Sequence, residues 1–215
     1  MQLAEKYRPQ TWDEVAGQPK AVAVAKSAVS RGAVGGRAFW ISGKTGMGKT
    51  TIAKLLAQEV ADEFGTNEMD AGRLNMSKLD EIRSDMQYKC CSAKHGRVYI
   101  FNEAHGMKKD AIRNLLVLLE SLPSYVTMIF TTTLEGEAKL FEDIDDSTPL
   151  VSRCLPIQLA QRDVTQPMAE RLLTIAQREK LDGGATVKDC VKILQNCRNS
   201  MRAALQEVEA GALIK

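Results

Sequence analysis

The apolar run Ala38-Phe39-Trp40-Ile41 meets a glycine-rich turn, Gly43-Lys44-Thr45-Gly46-Met47-Gly48-Lys49-Thr50, which passes directly into the helix-like Thr51-Ile52-Ala53-Lys54-Leu55-Leu56-Ala57. A strand, a loop of the form GxxxxGK[ST] and a helix in that order leave the chain few architectures to choose from. Glycines let the main chain turn tightly enough for its N–H groups to converge on phosphate oxygens. The helix that begins at Lys49 points the positive end of its dipole at the same place. Lys49 is then set to reach the β- and γ-phosphates of a nucleotide, and the Thr50 hydroxyl to hold Mg²⁺, with Thr51 completing the phosphate-facing stretch. A turn of this composition without a ligand is the competing reading, and the spacing in this context weighs against it.

The 215 residues suggest one α/β domain with a small appendage, long enough to bury a core. A net charge of +2 excludes a strongly basic nucleic-acid scaffold, so any contact with DNA has to come from local placement of Lys and Arg. The cysteines Cys90, Cys91, Cys154, Cys190 and Cys197 form no CxxC pair and no zinc-ligand spacing, as expected of reduced thiols. No stretch approaches membrane-spanning length, and a cytoplasmic protein is expected.

Apolar runs alternate with amphipathic segments, as in β-α units around a parallel sheet. The expected strands are Ala38–Ser42, Asn67–Asp70, Arg97–Asn102, Thr127–Thr132 and Leu155–Leu159. Helical spacing covers Lys20–Ser30, Lys49–Glu63, Ser77–Tyr88 and Lys109–Leu122. After about Gln161 only helices are expected: Thr165–Leu181, Thr186–Cys197 and Ser200–Leu213, with Pro167 in the first turn of the first and Gly183-Gly184 before the second. The organisation read is an α/β nucleotide-binding domain over residues 1–160, its five-stranded parallel sheet flanked by helices, followed by a three-helix lid over 161–215.

The strand Val98-Tyr99-Ile100-Phe101 delivers Asn102-Glu103-Ala104-His105. Beside a phosphate loop, an acidic pair at such a strand end orients Mg²⁺ and its waters with the first residue and polarises the attacking water with the second. Here the first is an amide. Its carbonyl can accept a hydrogen bond from a metal-bound water but brings no negative charge. The expectation is intact ATP binding with slow turnover, restored by Asn102→Asp. Glu103 stays available as the base, its alternative being a solvated acid at a strand end.

The opening Glu5-Lys6-Tyr7-Arg8-Pro9-Gln10-Thr11-Trp12-Asp13-Glu14-Val15-Ala16-Gly17-Gln18 resembles the N-terminal signature of clamp-loader AAA+ ATPase subunits, the replication factor C small subunits and the bacterial DNA polymerase III gamma/tau subunit. The phosphate loop, Asn102-Glu103-Ala104-His105, Thr131-Thr132-Thr133, Ser152-Arg153-Cys154 and Ser200-Met201-Arg202-Ala203-Ala204-Leu205 follow in that family's order. The resemblance implies adenine contacts near Tyr7, Arg8, Val15 and Ala16. It makes Thr133 a polar sensor of the γ-phosphate or the attacking water, and Arg153 an arginine finger offered to the ATP of a neighbouring subunit. Arg202 is the second sensor, closing the lid on bound nucleotide. A permanently charged guanidinium that donates two parallel hydrogen bonds suits both arginine roles. A surface ion pair remains the alternative for Arg153, a solvated helix-face charge for Arg202 and a plain strand residue for Thr133. His105 reads as a packing or hydrogen-bonding residue.

The resemblance further implies a homo- or hetero-oligomer of AAA+ subunits, a sliding clamp or other replication protein as partner, and sequence-tolerant DNA contacts for which Arg83 and Lys78 are the candidates. Gly106-Met107-Lys108-Lys109-Asp110-Ala111-Ile112 occupies the place where family members touch the clamp, though Lys108 and Lys109 stand where apolar residues are common. Family members continue into a helical collar, whereas this chain stops at Lys215. The connection from Thr133 to Ser152, with its acidic cluster Glu142, Asp143, Asp145 and Asp146, is longer than usual in the family and reads as a solvated loop, or more sharply as a lid over the subunit interface or a repulsive guard against DNA. Two functions fit: an ATP-hydrolysing, Mg²⁺-dependent subunit that acts on DNA or a DNA-bound ring, and a nucleotide-gated adaptor whose hydrolysis is slow or vestigial. A branch-migration or helicase-loading relative is a third, against which the Ser-Arg-Cys motif speaks.

Overall fold

In the computed structural model, which describes residues 1–214, a short helix α1 (Leu3–Lys6) and α2 (Pro19–Ser30) precede the first strand. The chain then runs β1 (Arg37–Ser42), α3 (Lys49–Val60), β2 (Thr66–Asp70), α4 (Met76–Asp85), β3 (Arg97–Asn102), α5 (Lys109–Leu119), β4 (Val126–Thr132), α6 (Leu134–Asp143), α7 (Ser147–Ser152) and β5 (Cys154–Gln158). Three helices close it: α8 (Thr165–Arg178), α9 (Val187–Asn196) and α10 (Met201–Glu209). The five strands form one parallel sheet in the order β2-β3-β4-β1-β5. Each expected strand forms within one residue of its predicted bounds.

Alternating side chains of the central strands enter two apolar layers, as period-2 geometry requires. Phe39, Ile41, Val98, Ile100, Ile129 and Ile157 face α2 and α3, and this layer continues through Val164 and Met168 into the closing helices. Trp40, Tyr99, Phe101, Met128 and Phe130 face α4 and α5. Phe130 stacks on Phe101 with ring centroids 5.1 Å apart and lies 5.8 Å from Trp40. Burial on both faces explains why these strands read as unbroken apolar runs. Both edges differ: β2 leaves Asn67, Glu68 and Asp70 exposed, and β5 tolerates Pro156 because an edge strand can lose one donor.

The opening signature is bound into this body. Gln18 is buried, donating from Nε2 to the Ala160 carbonyl at 3.2 Å and accepting from the Ala160 amide at 2.7 Å. Gly17, at φ 74°, leaves its missing Cβ only 3.1 Å from the Val164 carbonyl oxygen. At the other end, the Leu3 amide donates to Glu209 at 2.7 Å, and Glu179 accepts from Lys6 Nζ at 2.6 Å and from the Tyr7 hydroxyl. The first residues are therefore fastened to α8 and α10.

The long loop expected between Thr133 and Ser152 is instead two helices, α6 and α7. Thr133 caps α6 by accepting from the Gly136 amide at 3.0 Å, Glu135 and Glu137 occupy its positive first turn, and Leu140 is buried. Gly136 and the acidic residues hid the helix from a reading by propensity. The glycine is there for a tertiary reason, since a Cβ on it would sit 2.3 Å from His105 Nδ1. Asp146 in the acidic cluster pairs with Arg113 at 2.8 Å. Several helices are also shorter than expected, α3 ending at Val60 rather than Glu63 and α5 at Leu119 rather than Leu122, shortly before Pro123.

Candidate functional site

One cleft opens at the carboxyl ends of β1, β3 and β4, under the first turn of α3. Its empty space, open mouth included, is about 1050 Å³. The phosphate loop supplies Thr45, Gly46, Met47, Gly48, Lys49, Thr50 and Thr51 to its wall, and the strand ends supply Asn102, Glu103 and Thr131. Tyr7, Arg8, Val15 and Ala16 line it from the N-terminal segment, as anticipated.

The loop is built to face an anion. Gly48 stands before α3 at φ 101°, a left-handed position, and no side chain caps the helix. The first-turn N–H groups of α3 therefore present their partial positive charge to the cleft. Lys49 is buried, its Nζ donating to the carbonyls of Gly43 at 2.9 Å and Lys44 at 3.1 Å. Burial lowers its pKa below the ordinary lysine value; the Glu103 carboxylate acts the other way and the Arg202 charge adds to the lowering. A desolvated ammonium whose bonds among the described residues all go to main-chain carbonyls is the electrostatic complement of a phosphate. Gly43 and Lys44 do not line the cleft; they act by holding Lys49.

Arg202 reaches the cleft from α10. Its helix starts on the loop itself: the Met201 amide donates to the Gly46 carbonyl at 3.2 Å, and Ser200 caps α10 by accepting from the Ala203 amide at 3.3 Å. The preceding Arg198 and Asn199 are both left-handed, φ 53° and 61°, a strained turn that aims α10 at the loop. From α8, Met168, Arg171 and Ile175 follow one another at helical spacing along the cleft. Neither the Arg171 nor the Arg202 guanidinium has a hydrogen bond or ion pair among the described residues. Arg171 was not singled out from sequence, although its place between Met168 and Ile175 on one helical face was a readable sign. With Val15, Ala16 and Leu205, these apolar side chains form a slot beside the cationic end.

At the end of β3, Glu103 adopts a left-handed conformation, φ 54°, which turns its half-exposed carboxylate away from the strand line. Its Oε2 lies 3.5 Å from His105 Nδ1, which is also 3.2 Å from Thr132 Oγ1. Asn102 accepts at Oδ1 from Thr131 Oγ1 at 2.8 Å and donates from Nδ2 to Glu68 Oε1 at 2.7 Å. The hydroxyl of Thr50, the carbonyl of Asn102 and the carboxylate of Glu103 make an all-oxygen set at the cleft, the donor type that Mg²⁺ takes.

Besides Gly43 and Lys44, two further expected site residues, Thr133 and Arg153, lie outside the cleft wall. Thr133 is outside the cleft wall, its hydroxyl committed to capping α6, and Thr131 is the β4 threonine that lines it. Arg153 precedes β5 at the opposite end of the sheet: Cys154 pairs with Ala38, four residues before Ser42, a span of about 13 Å along the strand. It bonds Glu120 at 2.9 Å and the Pro149 carbonyl at 3.1 Å, facing away from this chain's own cleft. On α4, half-buried Lys78 pairs with Glu81 at 2.6 Å and exposed Arg83 lies 3.7 Å from Asp80, and Lys108 and Lys109 are exposed at the start of α5.

A phosphate loop at the end of β1 of a five-stranded parallel sheet, with an acid at the end of β3 and an arginine from a closing helix, is the layout of an α/β protein of the P-loop class. Residues 39–181 match the model of the ATPase family associated with various cellular activities (AAA), and the chain belongs to that family. It is similar to the DNA polymerase III subunit gamma of Buchnera aphidicola subsp. Schizaphis graminum, 27% identical over 234 residues that cover 96% of this chain and 60% of the relative. It is 30% identical over 186 residues to the DNA polymerase III subunit tau of Escherichia coli K12, covering 76% of this chain and 28% of the relative. The replication factor C small subunit of Haloarcula marismortui is 27% identical over 213 residues, with 97% and 62% covered. The chain thus spans less than two thirds of the length of these relatives, and the resemblance read from its motifs is borne out. A variant of Thermotoga maritima RuvB shares the fold, with a TM-score of 0.72 at 20% identity over 94% of this chain and 64% of that one. Among the described residues, no helix is long and apolar enough to cross a membrane.

Proposed function

We propose that the chain binds Mg·ATP in this cleft, hydrolyses it, and works as one subunit of a head-to-tail AAA+ assembly of the clamp-loader type. The observation that carries the reading is the concentration of positive charge at one end of the cleft: buried Lys49, the Arg202 and Arg171 guanidiniums, which have no hydrogen bond or ion pair among the described residues, and the uncapped amides of α3, beside an apolar slot of the kind a purine fills. Thr50 and, through a water, Asn102 would hold Mg²⁺, which neutralises charge on the phosphoryl oxygens when bound. Glu103 polarises the attacking water, and Thr131, at the cleft wall, takes the polar-sensor role first assigned to Thr133. The segments 1–160 and 161–215 act as body and lid, with Arg202 making the angle between them depend on the γ-phosphate.

Arg153, unable to reach its own cleft, completes the site of a neighbouring copy or related subunit. Lys78 and Arg83 meet DNA phosphates without reading sequence, and the segment from Gly106 to Ile112 meets a protein ring. ATP turnover measured with and without primed DNA, across protein concentration, tests this: cooperative, DNA-stimulated turnover that disappears in Arg153→Ala supports it. Tight ATP binding with flat, negligible turnover supports instead a nucleotide-gated adaptor, the reading that the neutral Asn102 favours.

A further inference from the structure

Asn102 does not stand alone at the end of β3. In the parallel register Asp70 pairs with Asn102 and Glu68 with Ile100, so Glu68 and Asn102 project from the same face of neighbouring strands, toward α3. Glu68 Oε1 accepts from Asn102 Nδ2 at 2.7 Å, and its other oxygen lies 3.0 Å from Lys54 Nζ on α3. Asn102 Oδ1 accepts from Thr131 Oγ1 at 2.8 Å. A carboxylate only accepts and an amide nitrogen only donates, so this chain of contacts admits one orientation of the Asn102 amide. Turned over, it would set its oxygen against the Glu68 carboxylate.

We propose that Glu68 is a positioning residue of the nucleotide site: it fixes the Asn102 carbonyl toward the cleft and makes an amide, rather than a carboxylate, the residue required at position 102. The inference rests on the reading of the cleft as an Mg·ATP site. An aspartate at 102 would bring a second carboxylate to within about 3 Å of Glu68, where like charges repel strongly. The neutral residue is thereby matched to its neighbour, and the strand end carries its negative charge one side chain further out, held by Lys54. An amide oxygen has two lone pairs; Thr131 uses one, and the other is free for a water on the metal. The simple expectation from sequence, that Asn102→Asp restores activity, is reversed.

The experiment is a double-mutant cycle of Glu68→Gln, Asn102→Asp and the double variant, read two ways. Without nucleotide or metal, thermal unfolding should show Asn102→Asp lowered by about 2–4 °C and the double variant returned near the wild type. By calorimetry, the gain in ATP affinity on replacing EDTA with Mg²⁺ should fall roughly 10-fold in each single variant, the usual cost of losing such an outer partner. Affinity in EDTA should not move, whereas a merely structural role would lower both, and the double variant should recover the gain. Additive effects in the cycle, or a larger Mg²⁺ gain in Asn102→Asp with Glu68 intact, overturn the proposal. Wild-type protein that takes up no ATP in either buffer overturns the nucleotide reading itself, and the metal-free cycle still reports on the Glu68–Asn102 linkage.

Discussion

The main-chain amide of Met201 donates to the carbonyl of Gly46 at 3.2 Å, so the helix that carries Arg202 begins on the phosphate loop. The approach is possible because Gly46 has no side chain: a Cβ there would lie 2.0 Å from Ser200 Oγ and 3.3 Å from Ser200 Cα, at a φ of 77° that side chains rarely adopt. Gly46→Ala should therefore lower ATP affinity by about tenfold or more, the equivalent of roughly 1.4 kcal/mol, through displacement of α10 as well as strain in the loop. Gly46→Ala combined with Ser200→Gly should recover part of the loss in a calorimetric titration. No recovery would mean that loop strain alone is responsible.

Lys49 is held by the carbonyls of Gly43 and Lys44, which take two of the three N–H groups of its ammonium and leave the third for a phosphate. ATP at 100 times its Kd should stabilise the wild type by about 2.7 kcal/mol, raising its melting temperature. Lys49→Met should melt at the same temperature with and without ATP. An equal ATP-induced shift in both proteins would remove Lys49 from the site.

Arg153 has to leave Glu120 to serve a neighbour. The pair is exposed, and such pairs contribute only about 0–1 kcal/mol, so Glu120→Ala should leave the melting temperature almost unchanged. Turnover in Glu120→Ala should rise at lower protein concentration than in the wild type, because the guanidinium no longer has a local anion to hold it and keeps only the Pro149 carbonyl. Concentration curves that superimpose would show that Glu120 does not restrain it.

Glu179 ties the first residues to α8, and its bonds with Lys6 and Tyr7 hold its carboxyl below the usual glutamate range. A carboxyl with a lowered folded-state pKa contributes stability that is present above its unfolded value and is lost as pH falls through the folded one. Glu179→Gln should thus melt below the wild type at neutral pH, and the difference should shrink as the solution is acidified below about pH 4.5. A gap that stays constant with pH would mean that packing of the side chain, not its charge, sustains the contact.

Cys154 is buried, and burial alone pushes its thiol up to about 12. Brief alkylation of the folded protein at pH 8 should label exposed Cys91 and leave Cys154 and Cys190 untouched, as peptide mass spectrometry would record. Early labelling of Cys154 would show that β5 opens readily.

The strands were legible because residues such as Ile100, Phe101, Ile129 and Phe130 are buried on both sides of the sheet, and a centre of that kind has an apolar signature that needs no partner to be recognised. The phosphate loop was legible for a different reason: its glycines and Lys49 serve local backbone geometry, and local geometry is written in consecutive residues. The α6 and α7 helices were not, because Gly136 answers to the His105 ring and Thr133 to a cap, requirements set by distant chain or by a helix not yet recognised.

Sequence by itself determined the class of protein, the positions of the five strands along the chain and the loop that faces an anion, since each depends on side chains within one short stretch. Only the tertiary structure decided which β4 threonine lines the cleft, that Arg171 joins it, that Arg153 points away from it, and that Asn102 is bonded to Glu68. The bonded pairs Asn102–Thr131 and Asn102–Glu68 are 29 and 34 positions apart, and Asn102 and Arg171, which line one cleft, are 69 apart. Such separations carry no periodic trace, because the contact is made by the register of the sheet and the packing of helices on it.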